Sequence, residues 1–481
     1  MGSTLKNAGL ISLGLLAGVA VSMQFSALAY KPVASSMPLE QLRVLADVYG
    51  LIKSDYVEAV DDKQLLAAAI AGMVGSLDPH SAYLDRKAYA ELREGTEGRF
   101  VGLGIEIAPS GDGAILIVAP IEDSPAWRAG IKPGDLITRI DGLSVQGIGI
   151  DNAINKMRGA ARTSVTLTIV RKNVPEPLGI VIARAEIVQN SVKGKIVEPG
   201  YGWLRVSQFQ EPTVSDMAAR LAALHQQEPN LKGLVLDLRN DPGGLLQGAI
   251  GVAAAFLPKD AEIVSTDGRL AGSKQRFYGR PEFYALRGDG DALARLPAAF
   301  KSIPLVVLVN TGSASASEIV AGALQDTGRA AIIGSQTFGK GSVQTIRPLS
   351  NDSAVKLTTA RYFTPAGRAI QATGIVPDFA VDEQADGDGV NRLRTREADL
   401  ARHLPNGRER DDAKARRDEV EDGLRASAVA RQRQRLEYGG ADDFQLRQAL
   451  NHLKGLPLQL SRPGTVPAPA LAHEGAKAPA R

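Results

Sequence analysis

The stretch Ile303-Pro-Leu-Val-Val-Leu-Val-Asn-Thr-Gly-Ser-Ala-Ser-Ala-Ser-Glu-Ile-Val-Ala-Gly-Ala-Leu-Gln-Asp326 decides the fold. It opens on an unbroken apolar run, the pattern of a strand covered on both faces rather than one with a wet side. A turn of small residues follows, and then a helix. The same rhythm occurs upstream, where the apolar run Gly233-Leu-Val-Leu-Asp-Leu238 leads into Arg239-Asn-Asp-Pro-Gly-Gly244 and another helix. Buried strands alternating with helices from Gly202 to Asp378 predict an α/β core built of βαβ units.

Upstream of this core the texture changes twice. Leu39, Leu42, Leu45, Val48 and Leu51 recur at helical spacing, and a second apolar run covers Leu65 to Val74. The region Leu39 to Leu92 therefore reads as helices, interrupted by the turn signal Leu77-Asp-Pro-His80. From Arg99 to about Ala185 short strands alternate with Gly-rich turns, with one short amphipathic helix from Ile150 to Arg158. Inside the core, Asp267 to Phe300 reads as a long surface insertion that covers the cleft or alters its channel. Residues 383–435 are dense in Asp, Glu and Arg, the pattern of a solvated stretch. Phe444, Leu446, Leu450 and Leu453 then make a last amphipathic helix before a loose Pro/Ala-rich end. The expected division is 1–29 signal peptide or membrane anchor, 38–95 helical segment, 96–185 β-rich module, 186–382 α/β core, 383–458 charged and helical segment, and 459–481 disordered tail.

Composition narrows the function. Of 481 residues 44% are hydrophobic and 23% charged, ordinary for a folded chain. Lys+Arg (56) nearly balances Asp+Glu (53), which argues against a nucleic-acid-binding surface over the whole protein. With no cysteine there is no disulfide frame, thiolate metal site or cysteine nucleophile. Five scattered histidines argue against a histidine-rich metal site. The apolar stretch Ala8 to Ala29 follows Lys6 and ends in Ser26-Ala-Leu-Ala29, a small-x-small site of the kind cut by signal peptidase. Cleaved or kept as an anchor, it predicts an exported chain, periplasmic or tethered to the inner membrane.

The densest chemistry lies in the opening stretch. Ser315-Ala-Ser-Glu318 is a capping box, so Ser315 reads either as a helix cap or as a hydroxyl presented at the positive end of a helix dipole, with a backbone N–H beside it for an oxyanion. A serine needs a base, and no histidine lies in a neighbouring motif. Lys340, in Gly334-Ser-Gln-Thr-Phe-Gly-Lys-Gly-Ser-Val-Gln344, is the other choice: burial can depress a lysine pKa and free its lone pair. Its flanking glycines allow close packing, and Gln344 is placed to orient the amine by a hydrogen bond. The run Gly334 to Lys340 nearly matches a phosphate-binding loop, but Gly341 stands where the magnesium-binding hydroxyl belongs and a strand follows instead of a helix. Two glycine turns complete the set. Gly243 and Gly244 can present N–H groups to an oxyanion, and Gly102-Leu-Gly-Ile105 can capture a terminal carboxylate while the peptide adds a strand.

Together these residues resemble the carboxyl-terminal processing, or tail-specific, proteases, which are serine peptidases with an embedded PDZ domain. The matching pieces fall in that family's order: Leu77-Asp-Pro-His-Ser-Ala-Tyr-Leu84, Gly102–Ile105, Ser124–Asp135, Leu236–Gly244, Gly312–Asp326, Thr337–Gln344, Thr364–Ile370 and Gly374–Asp378. The resemblance implies a core like the crotonase and Clp-peptidase fold that works without cofactor or metal. It implies Ser315 as nucleophile, Lys340 as general base, Gln344 as the residue orienting the lysine and Glu318 in support. The oxyanion donors map to the amide of Ala316 and to Gly243 or Gly244. Gly102, Leu103, Gly104 and Ile105, with the helix Ile150–Arg158, would bind the apolar C-terminus of an unfolded or tailed protein substrate. Arg171 is a candidate for a charged contact between that module and the core. An adaptor that delivers substrate stays open, and the N-terminal helices and the helix near Leu446–Leu453 are candidate surfaces for a homodimer or higher homo-oligomer. The competing reading is a non-catalytic PDZ scaffold or holdase on a protease-like core.

Overall fold

A computed structural model describes residues 38–110, 113–121, 123–286, 288, 290–385, 395–406 and 437–460. The apolar stretch ending at Ala29, most of the charged region after Asp382 and the tail beyond Ser461 lie outside the described residues. The chain falls into two units, one ending at Ala69 and one beginning at Ile70. In the first, helix Leu39–Asp55 buries none of its side chains, and Leu39, Val44, Leu45 and Leu51 are all exposed. Asp61 accepts the Gln64 N–H at 2.9 Å at the start of the next helix, Asp62–Gly75.

The second unit is organised around a six-stranded sheet. Its strands run in the order Val192–Glu198, Tyr201–Val206, Gly233–Asp237, Leu305–Val309, Ala331–Gly334 and Phe379–Ala380. The first pair is antiparallel and every later pair parallel. Alternation along the strands explains the unbroken apolar runs. Leu204, Leu234, Leu236, Val307 and Ile332 pack with helices Thr213–Gln227, Leu246–Phe256 and Ala316–Asp326. Trp203, Val235, Val306, Leu308 and Ile333 pack with Phe444, Leu446, Ala449 and Leu450 of helix Phe444–Leu453. At roughly 1.5–3 kcal/mol for each large apolar side chain fully buried, these two faces supply most of the driving force for the core. The C-terminal helix is therefore not an open surface for a second copy: its apolar stripe covers the second face of this sheet.

A five-stranded antiparallel sheet stands beside it, with Ala82–Leu84, Glu262–Asp267 and Ser342–Pro348 all paired to strands of one set around Ala354–Phe363, and Gln275–Tyr278 on the far edge. The Asp267–Phe300 stretch is not a surface flap. Gln275–Tyr278 extends this sheet, Tyr284 and Phe300 are buried, and Phe277, Phe283 and Leu296 pack on the main core. Its polar composition hides irregularly spaced aromatic anchors. Arg287 and Asp289 lie outside the described residues.

The β-rich module has its own sheet and its own apolar cluster, centred on Ile117, Ile137, Ile140, Leu167 and Ile169. Arg99–Gly102 pairs with Ala185–Val188, so the chain enters and leaves the module side by side, as an insertion must. Among the described residues Arg171 makes no hydrogen bond or ion pair across to the core. Its guanidinium grips Asp135 within the module, at 2.7 and 2.8 Å, and also reaches the Gly130 carbonyl.

Candidate active site

Strand Leu305–Val309 delivers the chain to a turn that ends at Ser315, immediately before helix Ala316–Asp326. Ser315 has φ 54° and ψ −110°, a conformation that costs a non-glycine residue on the order of 1–3 kcal/mol and persists only where its surroundings over-determine it. They do. The Ala314 N–H donates to the Asp241 carbonyl at 3.0 Å, and Ser317 Oγ donates to the same oxygen at 2.9 Å. Ser313 Oγ donates to the Leu238 carbonyl at 2.7 Å. The turn is thus tied at three points to the loop after strand Gly233–Asp237, and Ser315 is left 8% exposed.

That loop carries the glycine pair. A Cβ on Gly243 would lie 2.9 Å from both Ala316 N and Ser315 Cβ, so its backbone sits directly against the serine turn. The two glycines differ in what their amides do. Gly243 N–H donates to Asp241 Oδ1 at 2.8 Å. Gly244 N–H has no partner among the described residues, and neither has Ala316 N–H, the first amide of its helix. Of the amides considered from sequence, Ala316 and Gly244 are therefore the pair free to meet an oxyanion. Asp241 itself is buried, its Oδ2 has no hydrogen-bond partner among the described residues, and burial pushes its pKa well above the carboxylate range. Two residues back, Arg239 is fully buried between Asp237 and Asp443, with bidentate contacts to each. The C-terminal helix thereby pins the start of this loop.

Lys340 lies on the loop between strands Ala331–Gly334 and Ser342–Pro348, half-buried. Gly341 is required beside it, since a Cβ there would lie 2.1 Å from Gln371 N. Burial lowers the Lys340 pKa from the ordinary lysine value and the charge of Lys356 adds to this, while Glu397, Glu318 and Asp78 act in the opposite sense. Among the described residues its amine makes no hydrogen bond or ion pair, so no hydrogen bond joins it to Ser315 Oγ. Gln344 does not reach it either: its amide donates to Ser342 Oγ at 2.9 Å and Thr358 Oγ1 at 3.2 Å.

The serine turn and the lysine loop are joined by the Phe338 N–H, which donates to the Ser313 carbonyl at 3.0 Å, and above all by Glu318. Fully buried, its Oε2 accepts the Ser315 N–H at 2.7 Å and the Lys340 N–H at 2.9 Å. Its Oε1 accepts the Gly339 N–H at 2.6 Å and the Thr337 hydroxyl. Burial pushes the Glu318 pKa up to about 7, with those four hydrogen bonds working against the rise. The capping box seen in the sequence is therefore half of a larger clamp, whose other half could not be read from spacing.

Three further residues near the lysine were not singled out from sequence. Glu397 and Gln371 are buried at its loop, and His80 reaches the same carboxylate. Leu77-Asp-Pro-His80 reads as a turn and as part of a family-like piece, with no role given to His80, and Glu397 lies in the charge-dense stretch. Among the described residues no cluster of His, Asp or Glu is placed to hold a metal ion.

On the inserted module, Gly102–Ile105 borders a groove of about 300 Å³ together with Ile107, Ile154, Met157 and Arg158. Among the described residues the Leu103 and Gly104 amides have no partner. The loop is shaped from behind: Ser124 Oγ donates to the Gly104 carbonyl at 3.1 Å, and a Cβ on Gly104 would lie 2.2 Å from Ser124 Cβ. Glu91 and Glu94, from helix Arg86–Glu97, line the groove and pair with Arg158 at 3.7 and 3.2 Å.

A strained serine against free backbone amides, a lysine-bearing loop clamped to it and an apolar groove on an inserted module make up the layout of a peptidase. Residues 200–381 match peptidase family S41, residues 116–171 a PDZ domain, and residues 19–88 the activating protease CtpB N-terminal domain. The carboxy-terminal-processing protease of Bartonella bacilliformis is 46% identical over 346 residues, 72% of this chain and 76% of that protein. A probable CtpA-like serine protease of Staphylococcus aureus is 38% identical over 346 residues, 71% of this chain and 65% of that protein. Among solved structures, the photosystem II D1 C-terminal processing protease is 30% identical with a TM-score of 0.41, covering 72% of this chain and 90% of that one. The chain belongs to the carboxy-terminal-processing proteases of peptidase family S41, serine-type peptidases, and carries an embedded PDZ domain.

Proposed function

We propose that the protein is an exported serine endopeptidase that holds a substrate's apolar C-terminus on its PDZ module and cleaves with Ser315 and Lys340. The observation that carries this reading is the Glu318 carboxylate, which takes the main-chain N–H groups of both Ser315 and Lys340 and so fixes nucleophile and base on one support. Ser315 Oγ attacks the scissile carbonyl carbon as its proton passes to the neutral Lys340 amine. The negative charge gathering on the carbonyl oxygen meets the free N–H groups of Ala316 and Gly244. Collapse breaks the C–N bond, and the ammonium returns its proton to the leaving amine. Lys340 then takes a proton from water, which hydrolyses the ester and restores the serine. The amine, without a hydrogen bond to Ser315 in this structure, would close on the hydroxyl once substrate fills the cleft; apo geometries of this kind tighten in the Michaelis complex.

The groove supports the specificity: the free Leu103 and Gly104 amides suit a terminal carboxylate, and the apolar walls suit its last side chains. Export follows from the leader-like start, whether cleaved or kept as an inner-membrane tether. The exposed apolar residues of helix Leu39–Asp55 support a homodimer formed through that helix, and delivery by an adaptor is compatible with a groove that reads only chain ends. The deciding experiment incubates purified wild-type, Ser315→Ala and Lys340→Ala proteins with an unfolded substrate bearing an apolar C-terminus. Cleavage by wild type alone is expected. Turnover by either variant removes that residue from the mechanism, and peptide binding without wild-type turnover would favour the non-catalytic scaffold.

A further inference from the structure

Lys340 is held from a side that the Ser315–Glu318 clamp does not touch. The described segment 395–406, past the end of the peptidase match, crosses the loops that flank the lysine. Arg396 donates to the carbonyls of Thr337 at 3.3 Å and Thr373 at 2.8 Å, and Asn406 Nδ2 donates to the Gln371 carbonyl at 3.1 Å and Thr373 Oγ1 at 2.7 Å. Between these anchors lies Glu397, fully buried. Its N–H donates to the Phe338 carbonyl at 3.1 Å. Its Oε1 accepts from Gln371 Nε2 at 2.8 Å, and Gln371 Oε1 in turn accepts the Gly341 N–H at 3.0 Å. Its Oε2 lies 2.7 Å from His80 Nε2. Glu397 thus brackets Lys340, reaching Phe338 directly and Gly341 through Gln371.

Taking Lys340 as the base, we propose that Glu397 is a positioning residue for it, brought in by the 395–406 segment and held by His80 and Gln371. A buried carboxylate is a poor choice for stability alone, since an apolar side chain of similar size would usually serve as well or better. Here it is one of the carboxylates whose charge acts on the amine, and it packs directly on the loop that carries it. The charged and titratable groups facing Lys340 are Glu318 from the serine helix, Lys356 from strand Ala354–Phe363, Asp78 from the turn near Leu77, and Glu397. Asp78 is fixed by the N–H groups of His80 and Ser81, both at 2.9 Å, and by the Ser81 and Thr358 hydroxyls. The Asp78–His80 turn and the 395–406 segment therefore form one polar scaffold behind the base, and it explains why a turn so far from the core in sequence matches the family pattern.

The test is kcat/KM against pH for the full chain, with thermal unfolding as a folding control. The rate rises as Lys340 loses its proton. Glu397→Gln removes a negative charge that favours the ammonium, so the acidic limb should move to lower pH by on the order of half a unit to one unit. The plateau kcat should fall about tenfold or more through misplacement of the base, with KM little changed. A merely structural glutamate would alter folding and leave the limb in place. Should Glu397→Gln fail to fold, Gln371→Ala carries the test: it cuts the link to the Gly341 amide, and a kcat loss at constant KM is expected. A folded Glu397→Gln enzyme with the wild-type limb and plateau overturns the proposal, as does full kcat in Gln371→Ala. Turnover by Lys340→Ala would instead overturn the lysine as base, a separately readable failure.

Discussion

Replacing Glu318 by glutamine tests the clamp through a signature that simple loss of activity lacks. In the wild type both carboxylate oxygens accept, Oε2 from the Ser315 and Lys340 N–H groups and Oε1 from the Gly339 N–H and the Thr337 hydroxyl. An amide has one oxygen, so whichever way it is turned its NH₂ faces two donors. Facing Ser315 and Lys340 the NH₂ leaves two buried N–H groups unpaired, and facing Gly339 and Thr337 at least one, since the hydroxyl can turn to accept; each costs about 1–3 kcal/mol. The charge works in the other direction. The Glu318 pKa rises on folding from 4.5 to about 7, so between those values the unfolded chain has lost a proton that the native state keeps. Wild-type stability therefore falls as pH rises through that window, by about 3 kcal/mol in total. Glutamine lacks this slope. At pH 5 the variant should be clearly less stable than wild type, and by pH 8 the gap should narrow by about that amount. Urea unfolding at both pH values measures it. Parallel stability curves would refute the buried, proton-binding clamp, and wild-type kcat in the folded variant would refute its role in aligning serine and lysine.

Gly244→Ala should reduce kcat on the order of 10²–10³-fold, the usual loss of one oxyanion donor, because its methyl would fall 2.0 Å from the Phe209 carbonyl and displace the free amide; a folded variant with full activity would move the donor elsewhere. Asp443→Ala strips one of the two carboxylates from the buried Arg239 and removes the side chain that accepts the Leu446 N–H at the helix start. A loss of about 3–5 kcal/mol in denaturant unfolding is expected, and a loss under 1 kcal/mol would contradict the buried pairing.

The core was legible because its physics is local. Two-sided burial writes an unbroken apolar run, a strand-to-helix turn writes small residues, and both are visible in Ile303–Asp326. Direction is harder. Gln344 lies in the expected strand, but the register with Ala354–Phe363 shifts between Val343 and Gln344. The extra residue, Thr359, belongs to the partner strand, which sets Thr358 opposite Gln344, and the amide meets that cross-strand neighbour. The amphipathic stripe of Phe444–Leu453 announced a buried face without naming its partner, because a stripe fits a second copy and the chain's own sheet equally well. Asp267–Phe300 misled through composition, since its aromatic anchors follow neither helical nor strand period. Glu397 was illegible for the opposite reason: one carboxylate among many carries no mark until the fold buries it.

The site is also where the molecule spends stability, and the direction of each contribution shows why. Near neutral pH and above, Glu318 carries a charge that burial opposes. Lys340, its pKa lowered on folding, is charged in the unfolded chain over a range where the native amine is neutral. For such a group the unfolded chain binds the extra proton, so this contribution to stability rises with pH from the lowered native value toward the ordinary lysine value. Ser315 adds a backbone conformation that a serine resists. A fold whose only demand was stability would remove all three. Their survival together, on a turn and a loop joined by one carboxylate and flanked by two sheet faces packed with aliphatic side chains, means the stable core holds the strained, desolvated groups in place. The lowering of the lysine pKa is thus a consequence of how tightly its surroundings pack. Changes that loosen the Gly339–Gly341 loop should raise the lysine pKa again and lower kcat before they unfold the protein, a difference that kcat against pH and thermal unfolding read separately.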